Sequence, residues 1–440
     1  MMAGLNTKKV LIILAVVLVV VVAALLIVTK FFLSSVKPVT LTYYGLWEDP
    51  KVMAGVISDF SRAYPNVKVN YLKQDQINYR ERMTKDLQKD GGPDIVRIHS
   101  SWLPMFKNLL APVPSSVMST TQFNSTFYPV HKDDLTLGGK IYALPLEIDG
   151  LVMFANMDLL TQAGVSPATI WEEFQDQVQR LTVRDQQGRI QTAGAALGTV
   201  SNVDHWQDIL SLMILQNGSS VVTPLGNTAE GALRFYTDFV TNLNVWDETQ
   251  DNSTLSFAKG KLVYYFAPTW RFFDIKNLST GAKLNFKVFP VPQLPGDPVY
   301  LATYWAEGVS VKSPNQKEAF AFLQFLTKKE NLTKLYSAQA NVRDFGEPYS
   351  RSDLKTNLSL DANVAPFIVN ANKAKSSVLA SYTWDGTTGI NSRVAKYYSD
   401  AVNSVLRGGD TKTALTTVSQ GVAQVLADYG IQVPQAATPL

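Results

Sequence analysis

The sequence predicts an α/β chain of two domains behind an N-terminal membrane helix, and three observations carry that reading. Its 440 residues are 46% apolar and 18% charged, enough to bury two compact cores and too apolar for a disordered segment. Strand-like and helix-like periods alternate from residue 39 onward. Before them, Val10 to Val28 form 19 consecutive residues without a polar side chain.

A helix of that length spans about 28 Å, which is enough to cross a bilayer. The run is longer than a secretory signal's apolar region and ends in Thr29-Lys30-Phe31-Phe32, so it reads as an uncleaved anchor. Lys8 and Lys9 precede it and keep the short end in the cytoplasm, placing the rest of the chain on the extracytoplasmic side. Residues 1–37 thus comprise a cytoplasmic end, an anchor over 10–28 and a spacer.

Val39 to Tyr44 alternate as a strand, and Val52, Val56, Ile57 and Phe60 then recur at helical spacing. Tyr64-Pro65-Asn66 breaks that helix, Val67, Val69 and Tyr71 form a second strand, and Tyr79 to Lys89 a second helix. Gly91-Gly92-Pro93 precedes a buried strand over 94–98. This βαβαβ order predicts a largely parallel sheet covered by helices. Further on, 140–145 and 151–154 read as strands, and Thr169-Ile-Trp-Glu172 as a capping box opening a helix to Leu181. Helices follow over 204–215 and 228–243, then strands over 262–266, 286–289 and 308–311. Ser313-Pro314-Asn315-Gln316 reads as the cap of a helix carrying Phe320 and Leu323. From about Leu332 the pattern is mostly helical.

Composition excludes several functions. The chain has no cysteine and three histidines, so disulfides, thiolate metal sites and multi-histidine centres are not expected. Beyond residue 37 there are 36 basic against 37 acidic groups, which gives no footprint for nucleic acid. No phosphate loop, dinucleotide glycine pattern, nucleophile elbow or zinc-protease motif is present, and no cofactor is expected.

In open α/β sheets ligands sit beyond the carboxyl ends of strands, and here those loops carry Trp47-Glu48-Asp49, His99-Ser100-Ser101-Trp102, Glu147 and Asp149, Asp204-His205-Trp206, Trp270-Arg271, Tyr304-Trp305 and Tyr382-Thr383-Trp384-Asp385. Aromatic faces stack on the C–H face of a sugar, and the interleaved acids, arginine and histidine bond its hydroxyls. The residues suit a saccharide groove. The same mixture suits a glycoside hydrolase, for which Glu48, Glu147, Asp149, Asp204, Glu307 and Asp385 are candidate carboxylates.

The order of several segments resembles the extracellular solute-binding proteins of ABC importers, in the sugar-binding group that includes maltose-binding protein. These are "DFSRAYPNVKVNY" (59–71), "DLQKDGGPDIVRIHSSW" (86–102), "GGKIYALPLEIDGLVMFANMDLLTQAG" (138–164), "FAKGKLVYYFAPTW" (257–270), "FKVFPVPQLPG" (286–296) and "SPNQKEAFAFLQFLTKKEN" (313–331). The resemblance implies a two-lobed periplasmic-binding-protein-like fold, lobe one from 38–143 plus 285–330 and lobe two from 144–284 plus 331–440. It implies a monomer that captures a carbohydrate in the interlobe cleft, without catalysis, and delivers it to a membrane permease. Glu48 and Asp49 fall in the family's first cleft loop, His99 and Ser101 after the Pro-Asp strand, Asp149 at an acidic contact before Asn156, and Trp270 at a stacking position. Asp204 and Trp206 match the next polar-aromatic contact. Ile98 stands where the family often has an aromatic, and the lipid-bearing cysteine is missing, a tether the transmembrane helix would replace. Binding of a polyamine, peptide or glycerol phosphate on the same fold stays open beside the saccharide and hydrolase readings.

Overall fold

A computed structural model describes residues 7–34, 37–279 and 284–433. The first six residues, Ser35 and Val36 of the expected spacer, and the last seven residues of expected lobe two lie outside that description.

Thr7–Ser34 is one 28-residue helix. Side chains on it are described for residues 11–24, and their leucines, isoleucines and valines are exposed on every face. Those 14 residues cover about 21 Å of helix against about 30 Å of hydrocarbon. Accordingly, among the described residues no helix is long and apolar enough to cross a membrane.

The folded body holds two sheets. Five strands form the first in the order Val67–Lys73, Val39–Gly45, Ile95–His99, Trp305–Val309, Ala143–Pro145. Leu41 and Tyr43 are fully buried because alternate side chains of their strand face one way, onto helix Pro50–Ala63 and helix Gln316–Leu326. Phe60 packs edge-on against Phe322 there, at 4.9 Å between ring centres. The first three strands are parallel, as their βαβ order requires, but Trp305–Val309 enters antiparallel to both neighbours.

The second sheet has seven strands and is mixed. Its central strand Asp149–Asn156 is antiparallel to Leu262–Pro268, Phe286–Phe289 and Tyr300–Thr303, while Leu262–Pro268 is parallel to Ile190–Ala195. Helix Trp171–Leu181 covers it through Trp171 and Phe174, both against Phe266. By pairing, Phe286–Phe289 and Tyr300–Thr303 join the second sheet and only Trp305–Val309 the first, so the expected segment 285–330 is split between sheets at Tyr304. Ala143–Pro145 likewise pairs in the first sheet up to residue 145.

Two expected caps differ. Helix Trp171–Leu181 begins without a side-chain cap, and Glu173 instead accepts from the Thr169 amide at 3.2 Å. Helix Gln316–Leu326 starts after Asn315, whose amide donates to Ser313 Oγ at 3.0 Å, so the serine closes a turn ahead of the helix.

Three passages join the sheets. Residues 146–148 run beside 347–350, with the Ile148 amide donating to the Pro348 carbonyl at 3.0 Å and Glu147 bridging antiparallel to Tyr349. Tyr304 forms the third passage, its carbonyl accepting from the Ser100 amide at 2.9 Å.

Candidate functional site

These passages floor a cleft of about 500 Å³, within the range of small-molecule sites. Aromatic rings dominate its walls: Trp47, Trp270, Phe273, Tyr304, Trp305, Tyr382 and Trp384. Trp47 meets Trp305 edge-on at 5.6 Å, and Trp305 in turn meets the buried Trp102 at 5.2 Å, so the first-sheet side of the cleft is braced from behind. On the opposite side Trp270 and Tyr382 stand 5.7 Å apart. Tyr382 and Trp384 both have left-handed backbones, with φ of 52° and 55°. Such conformations are uncommon for large side chains, and here they accompany two rings presented to the cleft.

Arg271 links the rings of that wall. Its guanidinium carbon lies 4.5 Å from the Trp270 ring centre and 4.3 Å from that of Tyr382. Nε donates to His205 Nε2 at 2.9 Å, and Nη1 pairs with Asp274 at 2.7 Å. His205 is fully buried, and that burial holds its pKa below the ordinary value, leaving Nε2 free to accept. Its Nδ1 lies 2.7 Å from Ser381 Oγ and 3.1 Å from Asp208, which fixes the ring.

The floor is acidic. Arg97, almost wholly buried, pairs with Glu48 at 2.8 Å and Glu307 at 2.6 Å, and stands 3.5 Å from Glu147. One guanidinium thus faces three carboxyl groups. Burial acts to raise the pKa of Glu48, but Arg97 beside it holds the group below its ordinary value. Glu307 and Glu147 are pushed up, by burial first. Asp149 rises to about 7 through burial and the nearby Glu347. Its oxygens accept from the amides of Gly150 and Thr269, from Thr269 Oγ1 at 2.9 Å and from the Trp270 amide at 3.3 Å, so it ties the central strand to the Trp270 loop.

Nine of the residues singled out in the sequence line the cleft: Trp47, Glu147, Asp149, Trp270, Arg271, Tyr304, Trp305, Tyr382 and Trp384. The others do not. Glu48 is turned inward onto Arg97. Asp49 caps helix Pro50–Ala63 by accepting from the Lys51 amide at 2.9 Å. His99 is buried, accepting from the Ser101 amide at 3.3 Å and donating to Thr303 Oγ1 at 3.0 Å, and its pKa falls to about 4. Ser101 bonds Asn391, Trp102 stacks on Phe106, and Trp206 is buried in helix Trp206–Gln216. Asp204 accepts from Asn252 and the Thr254 amide at the start of helix Ser253–Ala258. Of the candidate catalytic carboxylates, Asp385 likewise accepts from the amides of Asn391 and Ser392.

The cleft also draws in Gln76, Phe273, Asp274, Arg343 and Glu347. Arg343 and Glu347 pair at 2.7 Å, an i,i+4 spacing visible in the sequence, but nothing in it aims that pair at the cleft. Among the described residues no group of three or more His, Asp or Glu has the arrangement of a metal site.

Residues 55–342 match the profile of a family described as bacterial extracellular solute-binding protein. Solved structures share the fold. A solute-binding protein of an ABC transporter from Thermotoga lettingae, bound with α-D-tagatose, is 21% identical over 88% of this chain and 99% of its own, with a TM-score of 0.65. A cyclo/maltodextrin-binding protein in complex with maltotetraose is 18% identical over 88% and 97%, with a TM-score of 0.71. The ABC substrate-binding protein Lmo0181 from Listeria monocytogenes, in complex with cycloalternan, is 18% identical over 89% and 100%, with a TM-score of 0.67.

Proposed function

Because the chain belongs to the family of bacterial extracellular solute-binding proteins, which bind rather than transform their ligands, we propose that it captures a carbohydrate between its two sheets and delivers it to the permease of an ABC importer. The cleft wall carries this reading. Flat indole and phenol rings suit the C–H face of a pyranose, and the acids and arginines among them suit its hydroxyls. Sugar ligands in the three solved relatives agree with it. The lobes follow sheet membership, with the changes of lobe at 146–148, Tyr304 and 347–350, and closure about these passages is hinge-like.

The extracytoplasmic binding domain is tethered by the N-terminal helix, with the monomeric body held close to the membrane. Two features support the tether: the unbroken apolar run Val10–Val28, and the exposed leucines, isoleucines and valines over 11–22, a surface that water does not tolerate without a cover. Membrane fractionation tests it. The full chain should stay with membranes through an alkaline wash and a variant lacking residues 1–37 should not; release of the full chain would remove the anchor.

Ligand capture is tested by thermal shift of the full chain in detergent against saccharides, polyamines, glycerol phosphates and short peptides. A ligand at 100 times its dissociation constant adds about 2.7 kcal/mol of apparent stability. A rise with a sugar that is not consumed supports the proposal, and a rise with charged non-sugars alone would overturn the carbohydrate assignment.

A further inference from the structure

The cleft is unevenly charged. Each of its two arginines is already matched, Arg271 with Asp274 and Arg343 with Glu347, both at 2.7 Å. Glu147 and Asp149 are left over. Asp149 spends its oxygens on the hydrogen bonds from 150 and 269–270 described above, whereas Glu147 accepts no hydrogen bond from any described residue. Its nearest cation, Arg97, stands 3.5 Å away, too far for a good bond, and is held by Glu48 and Glu307 at 2.8 and 2.6 Å. Around Glu147, then, are Glu48 from the first cleft loop, Glu307 from its strand, Glu347 from the facing passage and Asp149 from its own segment. Against these five carboxyl groups stand two guanidinium groups, Arg97 and Arg343. Glu147 is buried, at 7% exposure, yet lines the cleft.

The wall opposite has the reverse need. Arg271 Nη2 is buried without an acceptor, although Nε and Nη1 are engaged. A complementary ligand presents a strong, positively charged donor at Glu147 and a neutral acceptor at Arg271, with pyranose faces between the rings. A neutral sugar supplies the acceptor but leaves the carboxyl surplus uncompensated, and a simple polyamine supplies the charge but no acceptor for Nη2. The indoles of Trp47 and Trp305, which share the cavity, also favour a cation.

Resting on the carbohydrate reading above, we propose that the saccharide taken by this cleft carries a free amine: an amino-sugar mono- or oligosaccharide whose ammonium sits on Glu147 and whose hydroxyl oxygen accepts from Arg271 Nη2. Burial raises the pKa of Glu147, the cost of holding its carboxylate charged, and an ammonium set against it offsets that cost.

Calorimetry on the full chain in detergent tests this with glucosamine and its β-1,4 tetramer, their N-acetylated forms, and glucose with cellotetraose. The amine forms should bind at least tenfold tighter than their acetylated and hydroxyl counterparts. Glu147→Gln should weaken the amine forms at least tenfold more than it weakens the neutral forms. Amine forms that bind no tighter than neutral ones would overturn the amine assignment while leaving the carbohydrate reading intact. Failure of every saccharide, with spermidine binding instead, would overturn both.

Discussion

Arg97 pairs with two buried carboxyl groups and stands 3.5 Å from a third, so replacing it with methionine has a consequence whose size and pH dependence follow from the geometry. The variant fills much of the same volume but removes the partner of Glu48 and Glu307 at 2.8 and 2.6 Å. In the wild type the folded pKa of Glu48 is depressed, so its contribution to stability is present above its unfolded value and lost on acidification. In the variant the sign reverses. Buried without its paired cation, Glu48 takes up a proton, and its contribution falls as pH rises above the ordinary value of 4.5. Keeping that proton on at pH 8 costs about 5 kcal/mol, and at pH 5 less than about 1 kcal/mol, at roughly 1.4 kcal/mol per pH unit. The larger figure is in line with the 3–5 kcal/mol typical of breaking a buried pair by removing one partner, ~4 on average. The lost hydrogen bonds add a part that does not depend on pH. Urea unfolding of both proteins at pH 5 and pH 8 should therefore show a deficit about 4 kcal/mol larger at the higher pH. Equal deficits at the two pH values would mean that Glu48 does not depend on Arg97 for its charge.

Asp149→Asn tests the neighbouring titration: with a folded pKa near 7 against an ordinary 3.8, Asp149 favours the fold at low pH and loses that contribution as pH rises through 7. The asparagine variant should flatten the fall in wild-type stability between pH 4 and 8, by up to about 4 kcal/mol; an unchanged pH profile would refute the shift. Trp270→Ala removes a cleft wall and one face of the Arg271 sandwich, and calorimetry should find saccharide affinity lower by about 1–3 kcal/mol. Unchanged affinity in a folded variant would take Trp270 out of the site. Gly150→Ala would set a methyl group 2.1 Å from Phe367 Cε2 and 2.4 Å from the Leu301 carbonyl oxygen, an overpacking cost of about 1–3 kcal/mol or more. Its melting midpoint should drop by at least about 2 °C, and an unaltered midpoint would show that the helix carrying Phe367 moves freely.

The aromatic half of the cleft was legible in the sequence because it obeys a topological rule. Trp47 and Trp270 stand in loops that follow the carboxyl ends of Val39–Gly45 and Leu262–Pro268, where parallel strands place their ligand loops whatever the details of packing. The acids did not follow so simply, for two reasons. Asp49 and Asp204 sit one residue or a loop away from helix starts, where an aspartate side chain bonds the free amides; family position alone does not tell a cap from a contact. Glu48 and Trp47 are adjacent in the bend that follows the first strand, and there Trp47 lines the cleft while Glu48 turns to Arg97.

Arg343 and Glu347 were harder to place, since they lie on or just ahead of one of the passages between sheets, which carry no period of their own. Those passages are also where Trp305–Val309 reverses direction and makes the first sheet mixed. Crossing from one sheet to the other forces the backbone of 146–148 and 347–350 side by side, and this long-range pairing brings acids more than 190 residues apart in the chain to one floor. The rings of the cleft are thus placed by local strand–loop order and its charge by the crossovers. Changes in the rings and changes in the floor should affect ligand binding separably: Trp270→Ala should weaken amine and neutral saccharides alike, and Glu147→Gln the amine forms far more than the neutral ones.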